Sequence, residues 1–166
     1  VLRRFDRQPG GNRIHMEDFA QVFGLYPNRK YGKASYEDIA RAVWAETGEV
    51  GLRDYTRRLA VTVLIGNGDM HLKNWSLLYP DRRTPVLSPA YDFVSTITYE
   101  YRPELALSLG GTKAMEEVDA RLFRRFAQRA SLPDRIVGDG ARETAEQFRD
   151  AWAEEPVVDL LPATGS

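Results

Sequence analysis

The chain has 166 residues, 43% of them hydrophobic and 28% charged, which is enough for one globular domain with a sizeable core. Lysine plus arginine, 23, nearly balances aspartate plus glutamate, 24, and a net charge of -1 gives no global signal for nucleic acid or a membrane surface. The absence of cysteine excludes disulfides and thiolate metal sites and is compatible with the cytoplasmic location expected here, while no apolar run approaches the ~20 residues of a membrane span.

The opening stretch "VLRRFDR", Val1 to Arg7, reads as the end of a strand already in progress, so a longer polypeptide is expected around this chain. "QPGGN", Gln8 to Asn12, is a turn signal. In "HMEDFAQVFG", Phe19, Val22 and Phe23 stand at helical spacing, with His15 at the helix start as a cap or packing residue and Gly24 as the stop. After the polar loop "YPNRKYGKAS", Ser35 caps a helix whose apolar stripe is Tyr36, Ile39, Ala40, Val43 and Trp44. A third helix is expected from about Leu52 to Ile65, buried along its apolar second half, with the loop Gly66 to Asn74 at its C-terminal mouth. "WSLLY", "TPVLSPAYDF" and "LALSLGG" read as short strands or extended pieces. Two more helices follow: Val118 to Ala130, carrying Leu122, Phe123 and Phe126, and Pro133 to Ala153, carrying Ile136, Phe148 and Trp152. The glycine pairs at 10–11 and 110–111 read as turns, and the tail from about Glu154 as loosely held. The fold class expected is mainly α with a small β element in its middle, an α+β fold.

The chemistry gathers in "GNGDMHLKN", Gly66 to Asn74, which places Asp69 and Asn74 in the spacing D-x-x-x-x-N. In phosphoryl transfer, that spacing lets an anionic base face the attacking hydroxyl while a neutral amide oxygen reaches back to magnesium. A second oxygen ligand is needed, and "AYDF" supplies Asp92 at the end of an apolar segment. Val94 stands where the related D-F-G pattern has glycine, so a backbone flip there is not expected. His71 has two readings. D-x-H also begins zinc or manganese phosphoesterase sites, but those use several histidines and this chain has 2, which favours a loop-bracing role. Lys73 is open between a solvated loop lysine and a group that neutralises a γ-phosphate. Trp75 is assigned to the core.

The segments "RFDR", "RIHMEDFAQVFG", "KYG", "LIGNGDMHLKNWSLLY", "SPAYDFVST" and "LALSLGG", in this order, resemble the C-terminal domain of HipA-family kinases over about Leu2 to Ala130. The resemblance implies a protein-kinase-like C-terminal lobe, using ATP and Mg2+, of a serine/threonine kinase that is the toxin of a toxin–antitoxin pair. It implies a protein substrate, an aminoacyl-tRNA synthetase, and a small DNA-binding antitoxin, HipB, through which DNA is reached only indirectly. By the same resemblance Asp69 and Lys73 are catalytic, Asn74 and Asp92 are metal ligands, and Arg3, Arg4, Phe5, His71, Asn74 and Asp92 form the nucleotide side. Residues 1–7 would be the hinge from an N-terminal lobe, 8–155 the C-terminal lobe and 156–166 a loose tail.

Two departures stand out. Arg3 occupies a place where the family's hinge has glutamate, which backbone recognition of adenine should tolerate, and the loop after "KYG" is shorter. The phosphate-covering loop, the strand lysine and the regulatory serine of the family lie outside this chain, so by itself it is expected to transfer phosphate poorly. Two other readings share the residues. "NGDMHLKN" also fits, apart from its first residue, the H-G-D-x-H-x-x-N of aminoglycoside and choline kinases. A non-catalytic module that docks a repressor or antitoxin is the other.

Overall fold

The structure, a computed structural model, describes residues 4–8, 10–26, 34–98 and 104–154. Arg3, the segment "KYG" and the tail 156–166 lie outside the described residues.

A short strand β1, His15–Asp18, runs directly into a single helical turn α1, Phe19–Val22. The sequence periodicity suggested one helix from His15 onward; the backbone stays extended for four residues because they pair with β2, Ser76–Tyr79, in antiparallel register from His15↔Tyr79 to Asp18↔Ser76. His15 is therefore no cap. Its ring lies 5.2 Å from that of Tyr79, and Asp18 caps α1 by accepting from the Gln21 N–H at 2.9 Å. Gly24 ends the turn at φ 63°.

The long helix α2, Tyr36–Leu64, forms the spine. Ser35 and Asp38 make a reciprocal cap, the Ser35 N–H donating to the Asp38 carboxylate at 2.7 Å and the Asp38 N–H to the Ser35 hydroxyl at 3.2 Å. The two helices expected over this range are joined end to end, with one break at Gly48, whose φ 62° and ψ -152° suit glycine almost alone. No proline or polar loop separates them, so the chain changes direction at that single residue.

Strand β3, Val86–Leu87, completes a three-stranded antiparallel sheet in the order β1-β2-β3. The rest of "TPVLSPAYDF" is extended without belonging to a strand, with Pro85 and Pro89 bracketing β3. Strands β4, Glu104–Leu109, and β5, Thr112–Ala114, form a separate hairpin turned at Gly110 and Gly111. The β structure is thus two small sheets, one of which begins before the helices.

Helix α3, Ala120–Ala130, starts at the cap Asp119, and α4, Asp134–Glu154, packs along α2. One core joins these layers: Phe19, Tyr36, Tyr55, Leu59, Trp75, Leu77, Leu107 and Phe126 are all buried. The apolar stripe of α4 differs from the expected one. Ile136, Val137, Ala141 and Thr144 are buried, while Trp152, 64% exposed, stacks on the half-buried Phe148. Likewise the end of α2 buries Leu59, Ala60 and Thr62 but leaves Leu64 exposed. Among the described residues no helix is long and apolar enough to cross a membrane.

Candidate active site

The loop after α2 is placed by the way the helix stops. The Gly66 N–H donates to the Val63 carbonyl at 3.0 Å and the Asn67 N–H to the Thr62 carbonyl at 2.9 Å, so the last carbonyls are satisfied by a reversed turn. That turn requires a left-handed residue, and Gly66 has φ 65°. A helix reading of "LAVTVLIG" therefore predicts the exit direction of the loop that follows.

Beyond Gly66 the chain alternates between the interior and solvent. Asn67 and Met70 are fully buried, whereas the Asp69 side chain is 52% exposed. The buried Tyr36 hydroxyl donates to the Met70 carbonyl at 2.9 Å, and the Tyr55 hydroxyl to the Tyr36 carbonyl at 3.0 Å. Both phenols pack against Trp75, with ring centroids 6.5 and 4.6 Å away. Burial pushes the pKa of each phenol well above the ordinary tyrosine range, so both hydroxyls stay protonated donors. Asp69 thus sits on a loop clamped from beneath while its carboxylate points out.

A single helical turn, Leu72–Asn74, then folds Asn74 back under the loop. Its Nδ2 donates to the Asp69 carbonyl at 3.0 Å, and its backbone N–H donates to the His71 carbonyl at 3.0 Å. With the amide nitrogen committed, Oδ1 is the atom of Asn74 suited to a cation. The His71 N–H donates to the Asp69 carbonyl at 2.8 Å, and its buried ring places Nε2 4.0 Å from Asp69 Oδ1. Among the described residues there is no group of three or more His, Cys, Asp or Glu side chains that could hold a metal ion. Lys73 is exposed on the outer side of the turn.

The second acidic segment lies against this loop. Asp92 is exposed and has φ 60°, a left-handed conformation that L residues rarely adopt and that aspartate tolerates better than most. Val94 keeps ordinary backbone and is 51% exposed, so the unusual conformation falls on the aspartate itself. Asn67 donates through Nδ2 to the Asp92 carbonyl at 3.4 Å and accepts the Asp69 N–H on Oδ1 at 3.0 Å. Thr96 adds three bonds: its N–H and hydroxyl donate to the Gly66 carbonyl at 3.0 and 3.1 Å, and its hydroxyl accepts the Gly68 N–H at 2.8 Å.

Tyr91 connects the same place to the start of the chain. Its hydroxyl donates to the Lys73 carbonyl at 2.7 Å and pairs with the Ser76 hydroxyl, and its ring lies 5.6 Å from Phe5. Burial raises the Tyr91 pKa to about 12. Arg4 is held in a two-pronged pair with Asp6, at 2.8 and 2.7 Å, and that pairing lowers the Asp6 carboxyl to about 2. The fold therefore joins Phe5, Asp69, Asn74 and Asp92 through shared partners, with Lys73 and His71 on the same loop. Asn67, Tyr36, Tyr91 and Thr96 carry the joints, and sequence reasoning assigned none of them a role in the site, placing Tyr36 only in an apolar helix stripe. The signal available was a polar residue, Asn67, set just past the glycine that follows a long apolar helix segment.

One amide oxygen from Asn74 and one carboxylate from Asp92 are hard oxygen donors of the kind magnesium prefers, and two protein ligands leave room for phosphate and water. Those residues fit such an ion. A model of the HipA-like C-terminal domain matches residues 1–152. The chain belongs to that family. Among relatives of this HipA-like domain, the protein named "Putative kinase Y4dM" of Sinorhizobium fredii is 50% identical over 156 residues, covering 93% of this chain and 38% of that protein. A protein named "Putative kinase" from Haemophilus influenzae is 36% identical over 142 residues, covering 76% of this chain and 39% of that protein. The HipA-like domain thus spans under two fifths of either relative. The HipA of Shewanella oneidensis, solved with HipB and its operator DNA, superposes with a TM-score of 0.77 at 24% identity, covering 98% of this chain and 42% of that one. The α+β fold is accordingly that of the kinase-like HipA lobe.

Proposed function

We propose that this HipA-like domain is the base- and metal-bearing lobe of a serine/threonine protein kinase that transfers the γ-phosphate of ATP to a protein hydroxyl. The observation that carries the reading is the joint placement of Asp69, Asn74 and Asp92. One amide, Asn67, touches the backbone of both acidic residues, and Asn74 is fixed to the carbonyl of the first.

In this reading Asp69 accepts the proton of the attacking hydroxyl, its exposed carboxylate facing the acceptor side. Asn74 Oδ1 and the Asp92 carboxylate would hold Mg2+, which when bound withdraws charge from the β- and γ-phosphates. Lys73 lies on the same turn and would neutralise charge on the γ-phosphate. Arg3, Arg4 and Phe5 form the hinge at the adenine, with Phe5 seated on Tyr91 as the support for the base. His71 keeps the loop's shape on the nucleotide side. Residues 1–7 belong to the hinge and residues 8–155 to the lobe, with 156–166 as a tail.

The domain's short span relative to its relatives supports a second part of the proposal: an N-terminal lobe, in cis or in trans, completes the nucleotide clamp, and the domain alone transfers phosphate poorly. By family likeness the whole protein acts in the cytoplasm as a toxin, with an aminoacyl-tRNA synthetase as substrate and a HipB-like DNA-binding antitoxin as partner. The test is thermal stability with and without Mg2+ and ATP, for the native sequence and Asp92→Ala. At a hundred times the dissociation constant the ligand adds about 2.7 kcal/mol. A magnesium-dependent shift that vanishes in Asp92→Ala is the expected result. If the complete gene product melts identically with and without Mg2+ and ATP, the kinase reading falls.

A further inference from the structure

Asn67 occupies an unusual place. It is the third residue past the end of α2 and the second past the cap Ile65, where a reversed helix stop commonly carries an apolar side chain that packs back on the last turn. Here the residue is an asparagine with no exposed surface. Burying a side-chain amide is unfavourable unless its oxygen and nitrogen find partners. Both do, and both partners are backbone groups of acidic residues: the Asp69 N–H on Oδ1 at 3.0 Å and the Asp92 carbonyl on Nδ2 at 3.4 Å. The backbone of Asn67 is itself fixed, through its N–H, to the Thr62 carbonyl at 2.9 Å.

We infer that Asn67 is a positioning residue that sets the spacing between the base Asp69 and the metal ligand Asp92, an inference that rests on the kinase reading above. The rigid end of α2 serves as the datum. One planar amide measures from it to both acidic segments, so neither can shift along the other without breaking one of its hydrogen bonds. Asp92 needs such a restraint, because its φ of 60° is a conformation the residue would leave if unconstrained. Thr96 ties the same two segments through Gly66 and Gly68. The two links therefore divide the work. Thr96 holds the segments together, and Asn67 fixes how the backbones of the two aspartates are placed.

The experiment compares Asn67→Ala and Asn67→Ser with Thr96→Val in the complete gene product. ATP dissociation constants are measured by titration with and without Mg2+, and the melting temperature is recorded for each protein without ligand. The reported quantity is the factor by which Mg2+ tightens ATP. For Asn67→Ala that factor is expected to fall roughly 10-fold or more, the usual effect of removing a partner that orients metal ligands, with metal-free ATP affinity unchanged. Asn67→Ser keeps an acceptor for the Asp69 N–H and lacks the reach to Asp92. It should lose the magnesium factor as well, and it preserves the test if the alanine variant does not fold. Thr96→Val should lower the melting temperature while keeping the magnesium factor within about twofold. Equal loss in all three variants would mean general loosening and overturn the inference, as would an unchanged factor in the Asn67 variants. If the native sequence shows no magnesium factor at all, the kinase reading falls and this inference with it.

Discussion

Replacing Gly66 by alanine tests whether the helix stop places the site. Two terms oppose the substitution. The left-handed backbone at φ 65° costs an L residue roughly 1–2 kcal/mol. The new Cβ would also stand 3.2 Å from Ile97 Cδ1 and 3.3 Å from Ile97 Cβ, tighter than an ordinary contact. Ile97 is 55% exposed and can move by a few tenths of an ångström, so this second term is the smaller. Reduced freedom of the unfolded chain returns about 0.4–1 kcal/mol. The net expectation is a loss of about 1 kcal/mol, which for a domain of this size lowers the melting temperature by roughly 2–4 °C. Gly66 also supplies the carbonyl that accepts two bonds from Thr96, so any shift of Ile97 is felt next to the acidic segment. Thermal melts of Gly66→Ala, Ile97→Ala and the double variant separate the terms. If backbone conformation dominates, Ile97→Ala leaves most of the loss in place. Full recovery in the double variant would assign the effect to sterics, and a neutral Gly66→Ala would refute the description of the turn.

Three other substitutions probe different joints. Asp69→Asn should cut phosphoryl transfer by about 10²–10⁴-fold while the Mg2+- and ATP-dependent melting shift persists, and turnover near the native value would remove Asp69 from the base role. Tyr36→Phe leaves the buried Met70 carbonyl without its phenol donor and should cost roughly 1–3 kcal/mol in a chemical denaturation curve; a change under a few tenths would mean that bond contributes little. Asp6 titrates near 2 in the folded chain because Arg4 stabilises its carboxylate, below the ~3.9 of an unfolded aspartate. The unfolded state then binds more protons between those values, so this contribution is present above about pH 4 and is lost as the pH falls toward 2. Asp6→Asn should accordingly flatten the melting-temperature profile in that window, and an unchanged acid limb would show the pair to be inert.

Some of this protein is set by local chemistry that a reader of the sequence can follow. Ser35 with Asp38, and Gly24 and Gly66 at helix ends, act on neighbours a few residues away, so these helix starts and stops follow from the residues beside them, whereas the cap Asp119 starts α3 two residues later than the expected Val118. The helical spacing of Leu122, Phe123 and Phe126 likewise places α3 against the core. The spacing of Asp69 and Asn74, with Asp92 further on, marks the proposed site because phosphoryl-transfer chemistry constrains which residue types could stand there. Other features depend on partners distant in the chain. "HMED" looks helical next to "FAQV" and becomes a strand only because Ser76–Tyr79 offers it a ladder. Trp152 looks like core, yet the packing of α4 on α2 closes with Thr144 and leaves the indole outside. Asn67 is one polar letter in a polar loop until the fold brings Asp92 to its amide nitrogen. Propensity and capping act over one or two turns of chain, whereas strand pairing and the joining of two acidic segments are decided by which surfaces meet when the core closes.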